Sequence, residues 1–312
     1  MQAKNVKKLQ VLSIIVILMG FKSDQKSSEK ILNEDEFPLE MVQFVPYKGN
    51  PVFSAGGANT WDEKIRERGF ILFEDSIYKM WYTGYNGKDS VIKHLGYATS
   101  RDGINWERYA RNPIFTGKWT EDVCVIKNEG KYYMFAEGRN DVAHSLVSDD
   151  GINWQEEGDL VIRTVDGKAI PGPYGTPTAW FENGKWYLFY EIKDEAIWLA
   201  TSNDRKHWTN VQDQPVIKKG PDSYDYGAVA ANQVVKYKDR YYIYYHASSN
   251  RMNSSTTWSS NVAMSTDLIH WVKYRKNPIV EGNHSSPILV FDGQYKLYTM
   301  HPQVFLYSPA SR

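Results

Sequence analysis

A five-residue aromatic phrase recurs along this chain at nearly constant spacing. Met80-Trp81-Tyr82-Thr83-Gly84 returns as Met134-Phe135-Ala136-Glu137-Gly138, Leu188-Phe189-Tyr190-Glu191-Ile192, Ile243-Tyr244-Tyr245-His246-Ala247 and Leu297-Tyr298-Thr299-Met300-His301, in steps of 54, 54, 55 and 54 residues. A period of this size means one supersecondary unit used repeatedly, here five times. Within each unit an apolar run, a polar turn such as Glu129-Gly130 or Asn183-Gly184, and a second aromatic run form the pattern of a hairpin. A third run follows, then a turn of the form Ser-x-Asp-Gly-x-x-Trp, seen at Asp102 to Trp106 and Asp150 to Trp154 and in variant form at Asp204 to Trp208 and Asp267 to Trp271. The Asp caps its own turn, and the Trp opens a fourth strand. Stacking on a sugar is the competing reading for these tryptophans, but regular recurrence favours packing.

Four strands per unit, with apolar residues on both faces of the inner ones, predict an all-β fold: a five-bladed β-propeller of four-stranded antiparallel blades. The fifth unit lacks its fourth strand after Val304 to Ser308. The segment Phe44 to Phe53, through Asn50-Pro51, is similar to Trp106 to Phe115, through Asn112-Pro113, and to Trp271 to Val280, through Asn277-Pro278. An N-terminal strand is therefore expected to complete the last blade and close the ring.

Residues 1–35 stand apart from this pattern. Lys4, Lys7 and Lys8 precede the apolar run Leu9 to Phe21, and a polar stretch follows. This is the pattern of a secretory signal with its linker, and the run is short for a membrane span. Export to the periplasm or medium is expected, with an uncleaved anchor as the competing reading, and 36–312 is read as the catalytic propeller. Lys plus Arg equal Asp plus Glu at 37 each, so no overall field recruits nucleic acid or an anionic membrane. The one cysteine, Cys124, excludes an intrachain disulfide and reads as a small buried hydrophobe.

Antiparallel pairing brings the start of each first strand and the end of each second strand to the same end of the ring. The starts carry Glu67-Arg68, Glu121-Asp122, Gly175-Thr176-Pro177, Ala230-Ala231 and His284-Ser285, with Asp62 and Asp225-Tyr226 just upstream. The ends carry Thr83, Glu137, Glu191, His246 and Met300, with Arg139 and His301 close behind. Scaffold residues should agree between repeats, as the outer Trp does. These positions do not agree, and ionisable groups converging on one axis point to a site. The bland alternative, solvated carboxylates at strand ends, applies better to turn residues such as Glu129, Asp239 and Asp292.

The five repeats, the Asp-to-Trp turns and Glu121-Asp122 make residues 40–312 resemble the five-bladed propeller glycoside hydrolases of families 43, 32, 117 and 130. Families 32 and 130 begin the second blade with Arg-Asp-Pro or Glu-Asp-Pro, whose Asp contacts substrate or transfers a proton; Asp122 matches it, with Val123 in place of the proline. An acid on the first blade, Asp62 ahead of Glu67, would be base or nucleophile. On blade three those families place an acid Glu before Cys-Pro or Gly-Pro, and here Gly175-Thr176-Pro177 lacks it. Family 117 uses His as proton donor, which leaves Glu191, His246 and His284 as acids, assisted by Asp225.

The resemblance implies catalysis by Asp62, Asp122 and Glu191. Glu67, Arg68, Glu121, Glu137, Arg139, Asp225, Tyr226, His246, His284 and His301 would bind an oligosaccharide or polysaccharide. Cleavage needs one group to protonate the departing oxygen and another to activate water or attack carbon. No cofactor is required, though a structural calcium ion in an axial channel is compatible with the fold. The leading expectation is an exported, exo-acting glycosidase on plant or algal oligosaccharides. A phosphorylase like those of family 130 and a non-catalytic sugar-binding propeller are the alternatives. The polar loop Arg251 to Ser260, with Trp258, is read either as a subsite over the pocket or as a mobile insertion.

Overall fold

A computed structural model describes residues 36–88, 92–250 and 256–310 of the 312-residue chain, without the side chain of Glu67. The basic and apolar N-terminal segment and the first part of the loop after Asn250 lie outside the described residues. Among the described residues the strands form five antiparallel-hairpin sheets. Blade one comprises Lys64–Glu74, Ile77–Tyr85, His94–Ser100 and Trp106–Arg108; blade two comprises Glu121–Asn128, Lys131–Glu137, Ala143–Ser148 and Gln155–Asp159. Blade three comprises Gly175–Glu182, Lys185–Glu191, Ala196–Ser202 and Trp208–Asn210, joined by the short strands Ile162–Arg163 and Ile217–Lys218. Blade four runs through Ala228–Tyr237, Arg240–Ser248, Trp258–Ser265 and Trp271–Lys273. Blade five has Ser285–Phe291, Tyr295–His301 and Phe305–Pro309, with Phe44–Pro46 as its fourth strand.

That last pairing closes the ring. Phe44, Val45 and Pro46 lie opposite Pro309, Ser308 and Tyr307, and each inner strand packs on the next, the fifth returning to the first. The Asn-Pro similarity has a physical basis. Asn112 accepts the Tyr97 N–H at 2.9 Å and donates to the Tyr97 carbonyl at 2.8 Å. Asn277 clamps Val262 in the same way, and Asn50 clamps Leu306. The N-terminal segment thus uses on blade five the clamp that blades one and four carry internally.

The Asp-to-Trp turns are structural. Asp102, Asp150, Asp204 and Asp267 each accept two backbone N–H groups of their own turn. Trp154, Trp208 and Trp271 donate from the indole to the carbonyl three residues back. Neighbouring blades are joined through the same turns: Trp81 donates to the Gly151 carbonyl at 2.7 Å and Tyr298 to that of Gly103 at 3.0 Å.

The hairpin turns between first and second strands decide the register at the opposite end. Blades one to four use two-residue turns with left-handed backbone, as at Asp75-Ser76, Glu129-Gly130 and Asn183-Gly184, the geometry that matches strand twist. Blade five uses three residues, Asp292 to Gln294, between the paired Phe291 and Tyr295. The extra residue moves the end of its second strand by one. His301, not Met300, therefore pairs with Ser285 as His246 does with Ala230, and Met300 is buried.

Ahead of the closing strand, the helical turn Leu39–Val42 buries Met41 and Val42, and Tyr244 donates its hydroxyl to the Met41 carbonyl at 2.8 Å. Because Met41 is fully buried, Met41→Ala is expected to lower stability by about 2–5 kcal/mol in urea unfolding. An unchanged midpoint would mean that this turn does not anchor the closing strand.

Candidate active site

At the mouth the inner strands are irregular. Register shifts by one residue between Glu121 and Cys124, Gly175 and Thr178, and Ala231 and Gln233, and by two between Arg66 and Phe70. Asp122, Thr176 and Ser286 hold left-handed backbone, with φ of 49°, 47° and 58°. For a β-branched residue such as Thr176 that conformation is costly, and such strain gathers at functional sites. Here it turns the Thr176 N–H toward Glu137, whose Oε2 accepts it at 2.7 Å.

The bulges correct the repeat alignment on blade one. Arg66, rather than Glu67, pairs with Thr83 as Glu121 pairs with Glu137. Arg66 stands at the mouth and donates from Nε to Glu121 Oε2 at 2.9 Å. Arg68 turns inward and is fully buried. Its N–H donates to Asp122 Oδ1 at 3.0 Å, and its guanidinium meets the Asp122, Pro177 and Ala231 carbonyls and the Thr178 hydroxyl. The expectation that Arg68 binds substrate gives way to an axial staple across four blades. Converging carbonyls are donors suited to a calcium ion, but Arg68 already meets them with positive charge. A calcium ion does not fit at that level of the axis.

Glu121, Asp122, Glu137 and Glu191 come together, each less than a tenth exposed. Glu137 and Glu191 flank Gly175: a Cβ there would lie 1.8 Å from Glu191 Oε1 and 2.9 Å from Glu137 Oε2. The carboxyl absent from position 175 is thus replaced in space by Glu191, its partner on the adjacent strand. Two more acids join from the loops that follow the second strands. Asn140-Asp141 and Lys193-Asp194 both hold left-handed turns, and the Asp194 N–H donates to Glu191 Oε2. Asp141 and Asp194 escaped the sequence reading. Their signal was a turn-forming dipeptide placed directly after each mouth-end strand.

Crowding and burial set the protonation of this cluster. Burial, then the Asp194 charge, pushes Glu191 up to about 8, and burial with Asp141 and Asp122 raises Asp194 to about 6. Burial and the charges of Asp122 and Glu121 lift Glu137 well above the usual carboxylate range. Burial also raises Asp122, but the Arg68 charge and N–H oppose it. Glu191 therefore keeps its proton near neutrality, while Asp122 has a cation beside it.

The other predicted residues have their own partners. Asp62 is buried, accepting from the Tyr82 hydroxyl at 3.0 Å and Arg108 Nε at 2.9 Å. Asp225 pairs in the same way with Lys273 on the corresponding outer strand of blade four. Both acids serve a repeated brace between incoming loop and outer strand, so neither joins the carboxylate cluster. Arg139 lies over the Trp119 ring at 5.2 Å, His284 packs against Phe305 with ring centroids 4.3 Å apart, and Tyr226 is 64% exposed. The Glu67 side chain is outside the described residues. His246 and His301 do meet, in a pocket with Trp258, Ser285 and Ser286.

The Glu191 shift predicts a stability effect. A carboxyl whose folded pKa is above its unfolded value, ordinarily 4.5, binds more protons folded than unfolded, so stability is lost as pH rises from about 4.5 to about 8. Glu191→Gln should raise the melting temperature at pH 8 and change it little at pH 4.5. Equal shifts at both pH values would mean that Glu191 is ionised in the folded protein.

No protein-family model matches the chain. A 1,2-β-oligomannan phosphorylase of Thermoanaerobacter sp. (strain X514) is 24% identical over 226 residues, covering 66% of this chain and 72% of the relative. A β-1,2-mannobiose phosphorylase of the same organism is 25% identical, covering 51% of this chain and 58% of the relative. Among solved structures, a glycosyl hydrolase from Bacteroides ovatus superposes with a TM-score of 0.65 at 16% identity, covering 86% of this chain and 95% of that one. A structure reported for the GH130 family of mannoside phosphorylases, which contains glycoside hydrolases that target β-1,2-mannosidic linkages in Candida mannan, gives 0.63 at 16% identity, with the same coverage. In its fold the chain is a five-bladed propeller of the kind found in glycoside hydrolases and mannoside phosphorylases.

Proposed function

We propose that this protein cleaves the glycosidic bond of a β-linked manno-oligosaccharide by hydrolysis, acting from a chain end. The observation that carries this reading is the Glu191 carboxyl, raised to about 8, seated against Gly175 beside Glu137. In this mechanism Glu191 gives its proton to the departing glycosidic oxygen. Water attacks the anomeric carbon and passes its proton to Asp122, whose carboxyl is raised by burial against the opposing charge and N–H of Arg68. Burial and unequal neighbours separate the two carboxyls into acid and base, the division that glycoside cleavage requires. The phosphorylase relatives supply the sugar class, in place of the plant or algal oligosaccharides expected from sequence. The basic and apolar segment before residue 36 supports action outside the cytoplasm.

Phosphorolysis is the second reading, favoured by those same two relatives. Against it stands the acidic character of the mouth: six carboxyl groups gather there, and Arg66 is paired with Glu121. Those carboxyls that stay ionised would repel a phosphate dianion. Incubation with β-1,2-mannobiose, with and without inorganic phosphate, separates the two. Free mannose alone is expected in both cases; mannose 1-phosphate formed only with phosphate would establish phosphorolysis.

Activity should fall above about pH 8 as Glu191 loses its proton. Glu191→Gln should lower kcat by about 10²–10⁴-fold and abolish that limb of the pH profile. Gly175→Ala, whose methyl group displaces the same carboxyl, should lower kcat with an unchanged circular dichroism spectrum. Full activity in both variants would remove Glu191 from the chemistry.

A further inference from the structure

Outward from the inner strands, blade four carries a second cleft. It is a groove of about 330 Å³, lined by Ser223 and Tyr224 of the incoming loop, Ser249, Thr257 and Trp258 around the connection between second and third strands, and Glu281 of the segment leading into blade five. All three connections lie where first strands start and second strands end, so the groove opens at the mouth end of the ring. Its volume is in the range of small-ligand clefts, roughly 300–1,000 Å³. Trp258 also borders the small pocket of His246 and His301. One indole is thus shared by the mouth and the groove.

The aromatic walls are fixed in advance. Trp258 pairs with Ser248 inside the blade, its N–H donates to Asn283 Oδ1 at 2.8 Å, and its carbonyl accepts the Asn283 N–H at 3.1 Å. Its ring meets His246 nearly at right angles, with centroids 5.2 Å apart. The Tyr224 hydroxyl lies 3.4 Å from both the Tyr245 hydroxyl and Asn277 Nδ2, which holds that ring by its inner end. Rings already immobilised lose little freedom when a ligand arrives. The polar groups are presented outward: Ser223, Ser249, Thr257 and Glu281 are exposed, and the Ser249 and Thr257 hydroxyls are 2.6 Å apart. Among the described residues no lysine or arginine lines the groove, so an anion has no counter-charge in it. Hydroxyls and a carboxylate beside two aromatic rings suit a ligand with many hydroxyl groups and an apolar C–H face, which is a sugar ring.

We propose that this groove is a distal subsite, holding a sugar ring of the oligosaccharide beyond the bond that is cleaved. Trp258 packs on the carbon face of that ring, Glu281 accepts from its hydroxyls, and Ser249 and Thr257 exchange hydrogen bonds with them. The carboxyl cluster belongs to blades two and three and the groove to blade four. A longer chain therefore gains a contact that a disaccharide does not make. The inference rests on the reading of an oligosaccharide substrate and adds selection by chain length.

The test is calorimetric binding of β-1,2-mannobiose, the corresponding triose and the tetraose to the full-length Glu191→Gln protein. The tetraose is expected to bind about tenfold more tightly than the biose. Trp258→Ala or Glu281→Ala, each added singly, should cut that ratio to about threefold or less. Glu281 is exposed and outside the strands, so its substitution probes the groove without disturbing the fold. Equal affinities along the series, no binding of any member, or a ratio that either variant leaves intact would overturn the subsite. Cleavage by the wild type is scored separately. A wild type that cleaves mannobiose, with no length preference in binding, removes the subsite alone; a wild type that cleaves none of the three, with the length preference present, removes the cleavage reading alone.

Discussion

The guanidinium of Arg68 meets carbonyls from the inner strands of blades two, three and four, starting from blade one. Five sheets arranged around an axis leave inner-strand carbonyls that bulges prevent from pairing in a ladder, and buried polar groups left unpaired are costly. One planar cation with several donors meets that need at a single point. Its charge then acts on both sides of the mouth. It opposes the burial that would protonate Asp122, and it helps keep His246 neutral. The same side chain therefore holds the ring and separates a carboxylate half from an uncharged half.

Comparison between repeats separates scaffold from chemistry. Asp62 with Arg108 and Asp225 with Lys273 are one device used on two blades, as are the asparagine clamps at positions 50, 112 and 277. What blades two and three share is different in kind: a buried glutamate at the end of the second strand, followed by a tight turn that carries an aspartate. On blade three the inner strand shrinks to Gly175, and only that allows Glu191 to lie against the backbone. A missing side chain and a neighbouring acid thus act together as one feature.

The relatives combine with this geometry in a specific way. Their names supply a mannoside class, and the fold is common to hydrolases and phosphorylases. Around that shared fold, the crowding of Glu121, Asp122, Glu137, Asp141, Glu191 and Asp194 raises proton affinity at the mouth through burial and mutual repulsion.

The repeat period, the hairpin turns and the N-terminal segment similar to the outer strands were legible in the sequence, and they determined five blades and the way the ring closes, because strand pairing follows local pattern. Glu121, Asp122, Glu137, Glu191 and His246 could also be placed at the mouth, since they fall on regular positions of the period. Which residue of blade one or five stood beside them was decided only by tertiary structure. One extra turn residue at Asp292 to Gln294 and a two-residue bulge after Arg66 slide a strand without altering its aromatic pattern. In a structure whose side chains alternate faces, a slip of one position exchanges a mouth-facing group for a buried one. That is why His301 and Arg66 face the mouth while Met300 and Arg68 do not.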